Sequence, residues 1–207
     1  RQRQMCIRDR IIPSYSPENH PKGYESTITA NAAMDISAAR DGLRMNIEVE
    51  KILKFEGYED RISEIQNFEK LLPDYKFDDS GALCEWSMKG YEENNVHRHI
   101  SHLYCAWPAY ETQHSKVLTD ACNQAIENRN TENKGHDDTA SHGWVHKALV
   151  AARLKNSKSV YETLYILLNS EIYYTSLMTD HNTDRRADTY CTDTGFGIVG
   201  IINEALL

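Results

Sequence analysis

Residues 81–107 read GALCEWSMKGYEENNVHRHISHLYCAW, a run that gathers carboxylates, three histidines, an arginine and two tryptophans. Neither packing nor a flexible linker explains that density. Charged and imidazole groups are costly to bury unpaired. A dense polar and aromatic cluster between ordinary helical stretches therefore reads as the wall of a pocket. The cluster also bears on the architecture. Helix after helix joined by functional loops suits a bundle, a solenoid or an α/α barrel, and periodicity does not choose among these. Long, chemically loaded loops favour the barrel, where the loops at one end build a site.

Outward from that run, the flanks carry helical periods. On the N-terminal side, Met34, Ile36, Leu43, Ile47, Val49, Ile52 and Leu53 predict a helix from about Ala30–Ala33 to Lys54. After Gly57 a second helix spans Glu59–Leu72, stopped by Pro73. Ile11–Pro21, with three prolines, is an ordered or turning loop that contains Glu18. On the C-terminal side, Ser115 is a natural N-cap for a helix running to about Asn128. Asn130–Asp138 reads as a charged loop. Thr139–Leu154 is a helix of small residues that allows close approach of its neighbours, and Ser157–Ser170 is another. Glu171–Asp188 is polar and Tyr-rich, a long loop with some strand, and Asp193 precedes a final helix, Phe196–Leu207. The expected class is all-α.

The composition narrows the function. With 207 residues, 40% hydrophobic and 26% charged, the chain can bury one large core or two small ones. A formal charge of -8 lacks the basic surface that nucleic acid or an anionic membrane requires. No apolar run approaches the roughly 18 residues of a membrane span, and no signal peptide is visible. Cys6, Cys84, Cys105, Cys122 and Cys191 contain no CxxC pair and read as mostly buried thiols. Met5–Arg10, MCIRDR, resembles one reading frame of a transposase adapter used in sequencing libraries. Arg1–Arg10 is therefore set aside as an assembly scar and residues 11–207 are treated as part of one domain, a genuine basic arm being the other reading.

The chemistry centres on carboxylates and imidazoles. Glu18, Glu85 and Asp193 lie at loop-to-helix junctions, and a pair of carboxylates is what glycosidic cleavage needs, one to protonate the leaving oxygen and one to activate water or attack. Any single carboxylate among 31 is more simply a cap or a surface ion pair. His97, His99 and His102, with His142 and His146 one turn apart, invite a metal reading, but Arg98 beside them is a poor neighbour for a cation. The simpler reading makes the first three hydrogen-bonding groups of a polar pocket and packs the last two between helices. Trp86 beside Glu85 leans towards a site, whereas Trp107 and Trp144 read as core.

In order along the chain, Ser16-Pro17-Glu18-Asn19, Asn31-Ala32-Ala33-Met34-Asp35, Gly81-Ala82-Leu83-Cys84-Glu85-Trp86, His97-Arg98-His99-Ile100-Ser101-His102-Leu103 and Ala152-Arg153-Leu154 resemble the catalytic domain of glycoside hydrolase family 95, the inverting α-L-fucosidases. The resemblance runs from Pro13 to Leu207. It implies a partial (α/α)6 barrel truncated at both ends, its remaining helices lying upstream. It also implies Glu18 as general acid and Asp193 as general base, with His97, His99 and His102 at positions that contact the fucose ring and Glu85 and Trp86 as a pair near the site whose role is open. No metal or other cofactor is implied, the partner is a fucosylated oligosaccharide or glycan, and the expected location is periplasmic or extracellular. The family's base works with asparagines from an upstream motif that has no counterpart here, so the fragment alone is expected to be inactive. Two departures bear on the sugar. Asp193-Thr194-Gly195-Phe196-Gly197 stands where the family often reads Asp-Gly-Asn-Phe-Gly, and His142-Gly143-Trp144 with His146 replaces a tryptophan-rich helix motif. Three rivals remain: an α-L-galactosidase of the same family, a metal-dependent hydrolase using His97, His99 and His102, and a non-catalytic sugar-binding relative.

Overall fold

The computed structural model describes residues 10–133, 140–176, 178–183 and 189–207. Among them are six α-helices: α1 (Ala33–Leu53), α2 (Tyr58–Glu69), α3 (Lys116–Glu132), α4 (Ser141–Arg153), α5 (Ser157–Asn169) and α6 (Asp193–Leu206). Two single-turn 3₁₀ segments, Ser101–Cys105 and Glu111–His114, lie between α2 and α3. Two small antiparallel ribbons complete the set. β1 (Ser14–Tyr15) pairs with β2 (Ile28–Thr29), Ser14 opposite Thr29, and β3 (Thr179–Asp180) pairs with β4 (Tyr190–Cys191), Thr179 opposite Cys191. The mostly helical character agrees with the sequence reading. Cys6 and most of the adapter-like segment, like most of the Asn130–Asp138 stretch, lie outside the described residues.

Local chemistry sets the helix ends. The Ser115 hydroxyl accepts the Leu118 N–H (3.2 Å) at the start of α3, and the Asn156 side chain accepts from Ser159 N–H (3.1 Å) at the start of α5. α1 ends where Lys54 enters the left-handed region at φ 50°. Three boundaries differ from the sequence reading by three residues or more. α2 ends at Glu69 rather than Leu72, the chain tightening there into turns in which Leu71 N–H donates to Phe68 O and Leu72 N–H to Glu69 O ahead of Pro73. α3 continues to Glu132 because its buried stripe does not stop at Ile126 but ends on buried Arg129. α6 begins at Asp193 itself, so that carboxylate sits in a first helical turn, where the helix dipole favours negative charge.

The small residues of α4 place it at the centre. One side of it (Val150, Leu154) joins Leu83, Ile100, Leu103, Cys105, Leu118, Cys122 and Ile126 in one core. The other (Val145, Ala148, Leu149) joins Leu167, Ile172 and Ile201 in a second, with Trp107 packed against both. α4 consequently packs on both α5 and α6. The approach to α6 is close enough that a Cβ added at Gly197 would lie 2.3 Å from Val145 Cγ1. Cys105 and Cys122 are free thiols 3.6 Å apart in the first core, Cys84 is buried and Cys191 half-buried.

Two junctions fix the loops on this frame. Glu85–Ser87 lies along the start of α1: Ala32 and Trp86 form an antiparallel bridge, Ala33 N–H donates to Glu85 O (2.9 Å) and Ser87 N–H to Asn31 O (2.8 Å). Asn31 holds the preceding loop by accepting from Ile11 N–H (2.7 Å), and Asp35 holds β1 by accepting from Ser14 Oγ (2.6 Å) and Tyr15 N–H (2.9 Å). At the other side Ser141 N–H donates to His181 O (2.7 Å), which seats the β3 loop at the start of α4.

Candidate active site

The Ser16–Asn19 turn is closed by Asn19 N–H donating to Ser16 O (2.8 Å) and is tied to the histidine run by Ser101 Oγ donating to Pro17 O (2.7 Å). It presents Glu18 outward. The Glu18 side chain, 58% exposed, is ion-paired with Arg98, and its Oε2 lies 3.6 Å from His99 Nε2. Its backbone N–H donates to His97 Nε2 (3.4 Å).

From Glu18 a file of imidazoles crosses the wall. Ring centroids are 5.2 Å apart from His97 to His99, 5.3 Å from His99 to His142 and 5.0 Å from His142 to His181. At the far end stands Asp193, whose Oδ2 accepts from Cys191 Sγ (2.9 Å). That hydrogen bond, with the helix-start N–H and the charges of His142 and His181, holds the Asp193 carboxyl below its usual range despite some burial. His142 is pulled down by burial and by His181, while the negative charges of both Asp193 and Glu18 act on it in the opposite sense. One imidazole therefore feels both carboxylates. Burial, Arg98 and His142 push His99 down to about 4, and burial pushes His146 to about 4. These rings are neutral near pH 7, which makes them hydrogen-bonding groups.

The other expected site residues lie deeper. Glu85 and Trp86 are wholly enclosed, at 0% exposure, and His102 is buried with Nδ1 4.0 Å from Glu85 Oε2. The Glu85 carboxylate accepts from Ser16 Oγ (2.6 Å), Asn19 Nδ2 (2.7 Å) and Arg129 Nη2 (2.9 Å). Its backbone N–H donates to Glu93 Oε2 (2.8 Å), and burial together with the Glu85 charge pushes Glu93 up to about 7. Glu85, Trp86 and His102, expected at the sugar, are in this structure enclosed behind the surface that carries Glu18 and His99. Burial and Arg129 keep His102 neutral, its pKa well below the usual histidine value. Of the three HRHISH histidines, His99 is the one beside the Glu18 carboxylate.

No group of three His, Cys, Asp or Glu among the described residues is arranged to hold a metal ion. His102 turns to Glu85 while His97 and His99 stay with Glu18, so the three imidazoles do not converge. A cavity of about 490 Å³ opens beside Arg98, lined by Arg129, Asn130, Trp144 and Lys147 among others. Arg98 joins this cavity to the Glu18 turn, lining the one and ion-paired with the other.

Two participants escape the sequence reading, His181 and Arg129, while His142, singled out there with packing as its simpler role, stands in the imidazole file instead. His181 sits in a loop whose polar sequence has no period to mark it. Arg129 did leave a signal: it continues the apolar stripe Leu118, Ala121, Cys122, Ala125, Ile126 at helical spacing, and a cation on a buried stripe requires a buried anion.

Comparisons with known proteins place the chain in a family. The family model of the glycosyl hydrolase family 95 catalytic domain matches residues 8–206. α-L-Fucosidase 2 of Arabidopsis thaliana is 26% identical over 211 residues, covering 94% of this chain and 23% of that relative. The family match over residues 8–206 makes this mostly helical chain part of a glycosidase catalytic domain. The chain belongs to glycosyl hydrolase family 95. It spans 23% of the length of the curated relative it matches.

Proposed function

We propose that these residues form part of an (α/α)6 barrel whose site removes terminal α-L-fucose from glycans with inversion, Glu18 acting as general acid and Asp193 as general base. The observation that supports the reading is geometric: Glu18 Oε2 lies 3.6 Å from His99 Nε2, the His99 and His142 rings are 5.3 Å apart, and α4, which carries His142, packs on α6, which begins at Asp193. Family membership supplies the reaction class, and the fucosidase relative the sugar.

The chemistry follows from the two environments. Asp193 is held in its ionised form, as a base that takes a proton from water must be. Glu18 is exposed and ion-paired with Arg98, so to act as the acid it must leave that pair and be protonated when the substrate arrives, then give its proton to the departing glycosidic oxygen. Neutral His99 and His142 lie between them, able to donate to or accept from sugar hydroxyls. In an inverting enzyme the carboxyl groups stand roughly 6.5–9.5 Å apart so that water fits between the base and the anomeric carbon.

Glu18→Gln in the intact enzyme tests the acid. Fucoside hydrolysis is expected to fall by a factor of about 10² to 10⁴, with binding of L-fucose retained by calorimetry. Undiminished turnover would refute the assignment. Gly195 takes the place of a side-chain amide of the family pattern, which makes α-L-galactose the second reading. Paired α-L-fucosides and α-L-galactosides, compared by kcat/KM, decide between them.

A further inference from the structure

Glu85 is a buried charge that the proposed reaction does not use. Its carboxylate oxygens are shared among three donors: Ser16 Oγ on Oε1, and Asn19 Nδ2 and Arg129 Nη2 on Oε2. Two of these donors belong to the turn that carries Glu18, one lying two residues before it and one directly after. Ser16 is 0% and Asn19 2% exposed, whereas the Glu18 side chain between them points outward. Arg129 supplies the counter-charge and also donates to Asn94 O (2.9 Å), the same carbonyl that accepts from Asn19 Nδ2 (2.9 Å). Turn, carboxylate and arginine thus form one closed, solvent-free clamp. Such a network is costly if broken at one member, because it leaves a buried charge unpaired.

We propose that Glu85 is a positioning residue for the general acid: by gripping Ser16 and Asn19 from behind, it fixes where the turn presents Glu18 to the glycosidic oxygen. The inference rests on Glu18 being the acid. A shift at Glu85 is passed to Glu18 through the two residues it grips, Ser16 and Asn19. Glu85→Asp keeps the charge beside Arg129 but draws the carboxylate oxygens back by one methylene, which must pull the turn with them or lose it.

The test compares two substrates of the intact enzyme: a fucosylated oligosaccharide, whose leaving alcohol needs a proton, and α-L-fucosyl fluoride, whose fluoride leaves with little need of one. Glu85→Asp is expected to lower kcat/KM on the oligosaccharide by about 10- to 100-fold, the cost of a misplaced acid, and on the fluoride by less than about threefold. Ser16→Ala, which removes one tether and leaves the Glu85–Arg129 pair intact, should show the same selectivity to a smaller degree and decides the matter if Glu85→Asp does not fold. Equal losses on both substrates, or no loss on either, would overturn the proposal. Glu18→Gln separates the two ideas. If it discriminates between the substrates and Glu85→Asp does not, only the positioning role falls; if Glu18→Gln fails to discriminate, the acid assignment falls and the positioning role with it.

Discussion

Single residues grip the two carboxylates in contrasting ways. Glu18 is held by groups distant in sequence, Arg98 and His99, whereas Asp193 is held by its own neighbourhood, Cys191 and the first turn of α6. The Cys191 thiol is the largest of the influences that lower the Asp193 pKa, and burial with the adjacent Asp193 raises the thiol's own pKa, so it stays protonated and donates. Cys191→Ala removes that donor, and the Asp193 pKa rises. Because the base must be ionised, the acid limb of the kcat/KM profile is expected to move to higher pH, while Cys191→Ser, which retains a donor, leaves it closer to the native position. An unmoved limb in Cys191→Ala would argue against Asp193 as the base. Legibility follows the same division. Glu18 and Asp193 stand in recognisable local motifs. The role of Glu85 could not be read beside it, because its partners lie 66 to 69 residues before it and 44 after, and nothing local announces a clamp.

Among the elements, the α4–α6 contact determines where Asp193 stands. Gly197, one turn into α6, meets Val145 of α4 where a Cβ would come within 2.3 Å of Cγ1 and 3.0 Å of Cγ2. Alanine in a helix is ordinarily about 0.5–1 kcal/mol better than glycine, but overpacking a core costs about 1–3 kcal/mol, so the clash wins. Gly197→Ala is expected to lower stability in urea titrations and to reduce turnover by tilting the first turn of α6. Val145→Ala removes both clashing methyls, so the double variant should be more stable than the sum of the single effects predicts, with a coupling of about 0.5 kcal/mol or more. Simple additivity would show that the helices do not meet there. The small-residue character of α4 made a close neighbour legible in the sequence; which helix it was, and that it is the one bearing Asp193, was not. Sequence pattern located the six helices found among the described residues; the ends at Glu132 and Asp193 moved because a buried partner and a helix start outweigh local pattern, and α2 stopped at Glu69, three residues short of the expected Leu72.

Across the whole molecule, charge state and burial combine into a pH response. Apolar side chains remain exposed on α1, as Ile52 (77%), and on α6, as Phe196 (70%). Inside, burial acts on titrating groups in opposite senses. His146 is depressed to about 4 and His102 lies well below its ordinary value, so the unfolded chain binds more protons there below pH 6.5. Their contribution is fully present above about 6.5 and is lost as pH falls towards 4. Glu93 is raised to about 7, so the folded chain holds the extra proton, and its contribution is lost as pH rises from 4.5 through 7. His146 and Glu93 each amount to about 3 kcal/mol and nearly cancel between pH 4.5 and 6.5. His99, depressed to about 4, and His102 act in the same sense as His146, so stability should fall on acidification below pH 6.5. Glu93→Gln retains an acceptor for the Glu85 N–H and abolishes the opposing term, so Tm measured from pH 7 to 4.5 should fall more steeply than in the native enzyme. His146→Asn should flatten the same curve. A steeper fall in His146→Asn, or a shallower one in Glu93→Gln, would contradict the burial of these groups as the source of the response.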